Sequence, residues 1–237
     1  KLNGLLEKHH PDVITVAEES TAWANITGFE NGGLGFTMKW NMGWMNDSLA
    51  YIKEDPYFRP HHHHKLTFSL TYAFSEKFVL PVSHDEVVHG KLSLLDRNHG
   101  SYEQKFAGAR AYLTYMMTHP GKKLLFMGSE FGQFREWDYA SSLEWFMLDY
   151  PNHRYLRDYT AALNNFYLRH SELWECDFGE RGFEWILPDE AEKNLVAFRR
   201  RNLDGDALTV VLSFSGSEQS IELPITDNAW YKLLLDT

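Results

Sequence analysis

Short apolar runs alternate with amphipathic segments along the first two thirds of the chain. Leu2, Leu5 and Leu6 have the spacing of one helical face, and a strand-like run follows them at residues 13–17. Three more strand-like runs occupy residues 35–40, 78–82 and 123–127. Helical periodicity occupies residues 44–52, 66–74, 101–118 and 152–170, with Phe106, Ala109, Leu113 and Met117 on one face of the third segment. Strands alternating with helices predict a parallel sheet with helical crossovers.

The pattern changes near residue 171. Beyond that point, short apolar runs are separated by Gly, Asp, Asn and Ser, and they lie at residues 183–187, 195–199, 208–214, 220–223 and 231–235. Such runs predict a small antiparallel β-domain. We therefore expect an α/β unit at residues 1–171 and an all-β domain at residues 172–237.

Composition and charge narrow the possible functions. The formal net charge is −10, and no stripe of Lys and Arg is present, so we expect no nucleic-acid partner. The one basic triplet, Arg199, Arg200 and Arg201, is interpreted as a solvated strand end. The sequence contains no apolar run of about 18 residues, so it predicts no membrane span. The single cysteine, Cys176, rules out an intrachain disulfide and favours a reducing, cytoplasmic compartment.

Charged residues follow three of the predicted parallel strands. They are Glu18 and Glu19 after the first, His84 and Asp85 after the third, and Glu130 after the fourth. In parallel barrels the active site is built from the loops after the strands, so these side chains should converge at one edge. Two carboxyl groups at such an edge suit glycoside chemistry, in which one acid protonates the leaving oxygen and another carboxylate attacks or stabilises an oxocarbenium-like centre.

Four segments resemble the α-amylase superfamily in its branching-enzyme form. Residues 13–21 (VITVAEEST) and 80–91 (LPVSHDEVVHGK) resemble its third and fourth signature regions. Residues 35–47 (GFTMKWNMGWMND) resemble the sixth-strand segment, and residues 127–133 (MGSEFGQ) the eighth-strand loop. The resemblance covers nearly the whole chain. It implies the C-terminal half of a (β/α)8 TIM barrel, followed by a small, incomplete antiparallel β-sandwich domain.

The resemblance also implies roles for individual residues. Glu18 would be the general acid/base, Asp85 the carboxylate that distorts and stabilises the transition-state sugar, and His84 a hydrogen-bonding partner of the sugar hydroxyls. Glu19 competes with Glu18, because strand alternation sends the two side chains to opposite faces without showing which face lines the barrel.

The nucleophile of this family is an Asp two residues after an Arg, and no such motif occurs in the 237 residues. In the family that motif lies upstream of the helix with which this chain begins. Because retaining transfer needs a covalent glycosyl intermediate, we expect the isolated chain to be inactive. Half a barrel would also expose sheet edges, so we expect it to self-associate.

The expected reaction is cleavage of an α-1,4-glucan and transfer of the released segment to a 6-hydroxyl, which makes an α-1,6 branch in glycogen biosynthesis. The expected partner is an α-glucan, with no cofactor and no metal. The histidines at residues 61–64 are interpreted as a loop, because metal ligands must converge in space. Alternatives are a debranching or trehalose-releasing hydrolase of the same superfamily, and a non-catalytic glucan-binding fragment.

Two further sets of residues remain open. Glu130 is either a structural loop acid or part of the substrate cleft. Four tryptophans near the predicted strand ends are candidates for stacking on sugar rings, and we expect one or two of them to do so. They are Trp23, Trp40, Trp44 and Trp137.

Overall fold

A parallel sheet of four strands forms the first part of the molecule. The computed structural model describes residues 1–21, 23–224 and 230–237. In chain order and in spatial order the strands are β1 (Val16–Ala17), β2 (Met38–Trp40), β3 (Phe78–Val82) and β4 (Lys122–Leu125). Every neighbouring pair is parallel. The prediction of a parallel sheet is confirmed.

Two of the α-helices in the described residues begin at a side-chain cap. The helices are α1 (Leu2–His9), α2 (Met42–Lys53), α3 (His64–Thr67), α4 (Tyr102–Thr118) and α5 (Pro151–Arg169). Asn41 begins α2 by accepting the Trp44 amide at 2.9 Å, and Ser101 forms a capping box with Gln104 at the start of α4. Within the described residues, no helix is long and apolar enough to cross a membrane.

Three predicted elements are shorter than the apolar runs suggested. Pairing retains two residues of the 13–17 run and three of the 35–40 run. The helix predicted at 66–74 is divided and ends early, because α3 gives way to a 3-10 turn, Phe68–Thr71. There the Thr71 hydroxyl donates to the Phe68 carbonyl at 2.7 Å. Such side-chain bonds to the third preceding carbonyl compete with α-helical geometry.

The second part is a three-stranded antiparallel sheet. Its strands are β5 (Phe183–Glu190), β6 (Leu195–Arg201) and β7 (Ala207–Ser213), in that order. The strands predicted at 220–223 and 231–235 are absent, and the described residues after β7 form no ladder. Gln219 instead donates to the hydroxyls of Ser215 and Ser217, both at 3.0 Å, so local polar bonds shape this segment. The domain boundary at 171/172 stays a prediction.

One core runs through both sheets. Leu80 and Val82 of β3 belong to the same buried cluster as Leu113 of α4 and Phe198 of β6. The predicted inward face of α4 is confirmed, since Phe106, Ala109, Leu113 and Met117 are all buried.

Arg200 of β6 is bonded inside the molecule to the C-terminal end of α4, so its interpretation as part of a solvated strand end was wrong. It is fully buried and pairs with Asp177 at 2.8 Å. Its guanidinium also donates to the carbonyls of Thr118 at 2.7 Å and Gly182 at 3.0 Å. The bonds satisfy a charge that the interior would otherwise exclude.

Candidate active site

The predicted site residues all lie at the carboxyl edge of the parallel sheet. Glu18 follows β1 directly, and His84 and Asp85 lie in the 3-10 turn His84–Val87 that follows β3. Strand β2 separates β1 from β3, so the two strands are roughly 10 Å apart, since paired strands are about 4.8 Å apart. The structure therefore brings the three residues to one edge.

Glu19 is engaged in an ion pair that removes it from acid/base work. Its carboxylate accepts from the Lys39 Nζ at 2.7 Å and from the Thr21 amide at 2.5 Å. The bond from Lys39, followed by the bonds from Thr21, lowers the pKa of Glu19 to about 2. Such a group is deprotonated at neutral pH and cannot serve as the proton donor.

Strand register places Glu19 on the helix-covered face of the sheet. Ala17 pairs in register with Lys39, and Lys39 pairs with Phe78, so these three side chains share one face of the sheet. Because side chains alternate along a strand, Glu19 and Leu80, each two residues further on, lie on that same face. Leu80 is buried in the core beneath the helices.

Glu18 projects from the opposite face, and its side chain is exposed. Within residues 1–21, 23–224 and 230–237, no side chain or backbone group bonds to its carboxylate. This separates two carboxylates that the sequence left as competitors. Glu18 is the one whose oxygens are available to an incoming molecule.

A capping box holds His84 and Asp85 on the outside of a tight turn. Glu86 accepts from both the amide and the hydroxyl of Ser83 at 2.7 Å, and the Ser83 hydroxyl accepts the Asp85 amide at 3.2 Å. Glu86 is buried. His84 and Asp85 are half-exposed, with 3.3 Å between Nε2 and Oδ1. Sequence reasoning missed the roles of Ser83 and Glu86, although Ser-x-x-Glu after a strand is the usual signature of such a box.

Aromatic rings flank His84. Its ring centroid lies 5.9 Å from that of Phe126 and 5.7 Å from that of Trp137, which meets it edge-on. The other candidate tryptophans differ in position. Trp44 is fully buried in the core and unavailable to a sugar, whereas Trp23 is exposed and Trp40 is half-buried.

The carboxylate of Glu130 is used by its own loop. It accepts a hydrogen bond from the amide of Gly128 at 2.6 Å, and Gly128 itself has a left-handed backbone with φ of 92°. This contact favours the structural interpretation of Glu130 over a role in a substrate cleft. In the described part of the chain, no group of three or more His, Cys, Asp or Glu side chains is arranged to hold a metal ion.

Comparison with known proteins identifies close relatives, although no family model matches the chain. The chain is 53% identical over 212 residues to the 1,4-alpha-glucan branching enzyme GlgB of Halothermothrix orenii, covering 89% of this chain and 34% of that protein. The chain is a homologue of bacterial branching enzymes. The GlgB enzyme of Aquifex aeolicus is 53% identical over 213 residues, covering 90% of this chain and 34% of that enzyme.

A third relative extends the match along the chain. The GlgB enzyme of Nocardia farcinica is 49% identical over 238 residues, covering 99% of this chain and 32% of that protein. The resemblance to branching enzymes is thus confirmed. The chain spans about a third of the length of the relatives it matches.

Solved structures share the fold at much lower identity. A cyclomaltodextrinase superposes with a TM-score of 0.68 at 19% identity, covering 96% of this chain and 36% of that one. The pullulanase of Paenibacillus barengoltzii, complexed with maltohexaose and alpha-cyclodextrin, gives 0.68 at 16% identity, covering 94% of this chain and 40% of that one. The predicted fold, part of a (β/α)8 barrel followed by a β-domain, is confirmed.

Proposed function

We propose that this chain is the part of a 1,4-alpha-glucan branching enzyme that supplies the general acid/base. The enzyme cleaves an α-1,4-glucan and transfers the released segment to a 6-hydroxyl, forming the α-1,6 branches of glycogen. The observation that carries the assignment within the site is the separation of Glu18 from Glu19. One carboxylate is available at the carboxyl edge, and the other is bound to Lys39.

The proposed reaction is a double displacement. A nucleophile elsewhere in the whole enzyme attacks the anomeric carbon while Glu18 protonates the leaving oxygen. Glu18 then takes the proton of the acceptor 6-hydroxyl as that oxygen displaces the nucleophile. Asp85 and His84, held half-exposed on their turn, hydrogen-bond the sugar hydroxyls in both steps. Because no Arg-x-Asp motif occurs in the 237 residues, we propose that the chain alone binds glucan without turnover.

A chimera tests the function directly. In the Aquifex aeolicus enzyme, the segment that aligns over 213 residues with this chain is replaced by the matching residues of this chain. Branching is measured by debranching the product and comparing its chain lengths with those of the starting amylose. We expect the chimera to branch amylose, and the Glu18→Gln variant to lose about 10²–10⁴-fold in rate, the usual contribution of general acid/base catalysis.

Glu19→Gln is the matched control, since it changes the neighbouring carboxylate and should lose far less. Reducing ends without new branches would support a hydrolase instead. A folded chimera whose rate falls more with Glu19→Gln than with Glu18→Gln would overturn the assignment.

The setting of the enzyme is part of the same proposal. A cytoplasmic location is supported by the single cysteine, Cys176, which is free and buried. Self-association of the isolated chain is supported by β1, which lies at the edge of its sheet. Exposed apolar side chains at Val13, Ile14 and Val16 accompany that edge.

A further inference from the structure

The loop after β3 contains an unusual cluster of left-handed residues. His89 has φ of 56°, Gly90 of 79° and Leu92 of 69°. For residues with a Cβ this conformation is strained, because the Cβ comes too close to the backbone carbonyl oxygen. Strain of this kind persists only where the surroundings hold it in place, and it concentrates near functional sites. The same loop begins with His84 and Asp85.

A carboxylate from the next loop supports the strained segment. Glu136, in the loop after β4, accepts the Gly90 amide at 2.9 Å through Oε2 and the Leu92 amide at 2.7 Å through Oε1. These two amides lower the pKa of Glu136, with the Gly90 bond contributing most. Hydrogen bonds to a charged acceptor are about twice as strong as neutral ones.

Trp137 makes the second connection between the two loops. Its amide donates to the Val87 carbonyl at 2.9 Å. Its ring meets the His84 ring edge-on at 5.7 Å and the Phe126 ring at 5.2 Å. Two adjacent residues therefore hold the loop after β3 at its turn, at its strained segment and at the His84 ring.

We propose that Glu136 and Trp137 are positioning residues, which act through the loop after β3 to fix the orientation of His84 and Asp85. The proposal rests on the proposed function, because it assigns the purpose of the orientation to sugar binding in the transition state. The contacts themselves exist independently of that function. An experiment can therefore separate the two.

The first measurement is amide hydrogen exchange by mass spectrometry on the 237-residue chain. Glu136→Gln removes the charge and one of the two acceptor oxygens, so we expect peptides spanning residues 86–92 to exchange about tenfold faster. Asp138→Asn is the matched control. Asp138 lies in the same loop and also accepts two bonds, from Ala140 and Ser141 at 2.9 and 2.7 Å, but neither joins the loop after β3.

The second measurement is kinetic and uses the branching-enzyme chimera. A misplaced catalytic group costs up to about 100-fold in rate, so we expect Glu136→Gln and Trp137→Ala to lower kcat by 10- to 100-fold with KM within about threefold. Trp137→Phe keeps a ring edge near His84 and should restore most of the lost kcat. Asp138→Asn should leave both constants unchanged.

The outcomes separate the two proposals. Unchanged exchange at residues 86–92 in Glu136→Gln would overturn the positioning role, whatever the kinetics show. Faster exchange with kcat and KM unchanged in an active chimera would also overturn it. If the unsubstituted chimera folds but does not branch, the proposed function fails.

Discussion

The buried charges beneath the parallel sheet allow a sharp prediction about stability. Asp177 lies between Arg200, at 2.8 Å, and Lys122, at 2.9 Å, and its side chain is fully buried. The favoured perturbation is Asp177→Asn, which keeps the shape and removes the charge. Arg200 then stays in the interior with no carboxylate to offset it.

The expected loss is large because the pair is dry. At 2.8 Å two unit charges attract by about 6 kcal/mol at an effective dielectric constant near 20. Desolvation offsets much of that attraction in the intact pair, but removing one partner leaves the other buried, which costs about 3–5 kcal/mol. In a chain of this size, that corresponds to a fall in Tm of roughly 6–20 °C, at about 2–4 °C per kcal/mol.

The assay is urea unfolding of the parent and of the Asp177→Asn variant, monitored by far-UV circular dichroism. Glu184→Gln is the matched control, because Glu184 pairs with Arg201 at 2.7 Å on the same sheet but is 51% exposed. An exposed pair contributes about 0–1 kcal/mol, so this variant should unfold almost as the parent does. If Asp177→Asn costs no more than Glu184→Gln, the reasoning from burial is refuted.

The same variant has a predicted pH dependence. Burial lowers the pKa of Lys123 to about 7, and Asp177 opposes that shift. Without Asp177 the folded-state pKa of Lys123 falls further, so near pH 6 the folded parent binds a larger fraction of that proton than the folded variant does. By linkage, the difference in stability between parent and variant shrinks as pH rises through 7. We expect the loss to be larger at pH 6 than at pH 8.

Three further predictions test other parts of the molecule. Followed by NMR, the carboxyl carbon of Glu19 should titrate near pH 2 in the parent, and its pKa should move closer to 4.5 in Lys39→Met. The stability that the Lys39 bond gives is therefore present above about pH 4.5 and is lost as the pH falls towards 2. Ile14→Lys should shift the isolated chain towards monomer in analytical ultracentrifugation, while Leu168→Lys, on α5 and similarly exposed, should not. Gly132→Ala should lower the free energy of unfolding by about 2 kcal/mol or more, because φ is 72° and a Cβ would lie 3.0 Å from Leu95 and Leu156; Gly216→Ala, with no such neighbour, should change it little.

Periodicity predicted the fold well where a whole element repeats one pattern. The buried face of α4 and the parallel strands followed from spacing alone, because burial on one side of an element imposes its period on the sequence. The pattern failed where partners far along the chain decide. Arg200 looked like part of an exposed triplet, but the Thr118 carbonyl that it reaches is 82 residues away.

Periodicity predicted the candidate site to the level of strand ends, and the choice of individual residues came from the family resemblance. Alternation separated Glu18 from Glu19 but could not assign their faces. The deciding partner is Lys39, 20 residues later, which sits beside Ala17 only after β1 and β2 pair in register. Similarly, nothing in the sequence joins Glu136 to Gly90. That contact depends on two loops meeting at the same edge of the sheet.

The two ends of the parallel sheet show that a shifted pKa identifies an active-site residue only when the position of the residue is considered as well. The most strongly shifted side chains in the described residues include His119 and Lys123, whose pKa values burial lowers to about 3 and about 7. Perturbed groups often mark active sites, and that criterion alone would select them. They lie where β4 begins, however, close to Arg200 and Asp177, at the end of the sheet opposite the candidate site. At the amino end of parallel strands such charges serve stability, whereas the half-exposed His84 and Asp85 lie at the carboxyl end, where parallel barrels build their active sites.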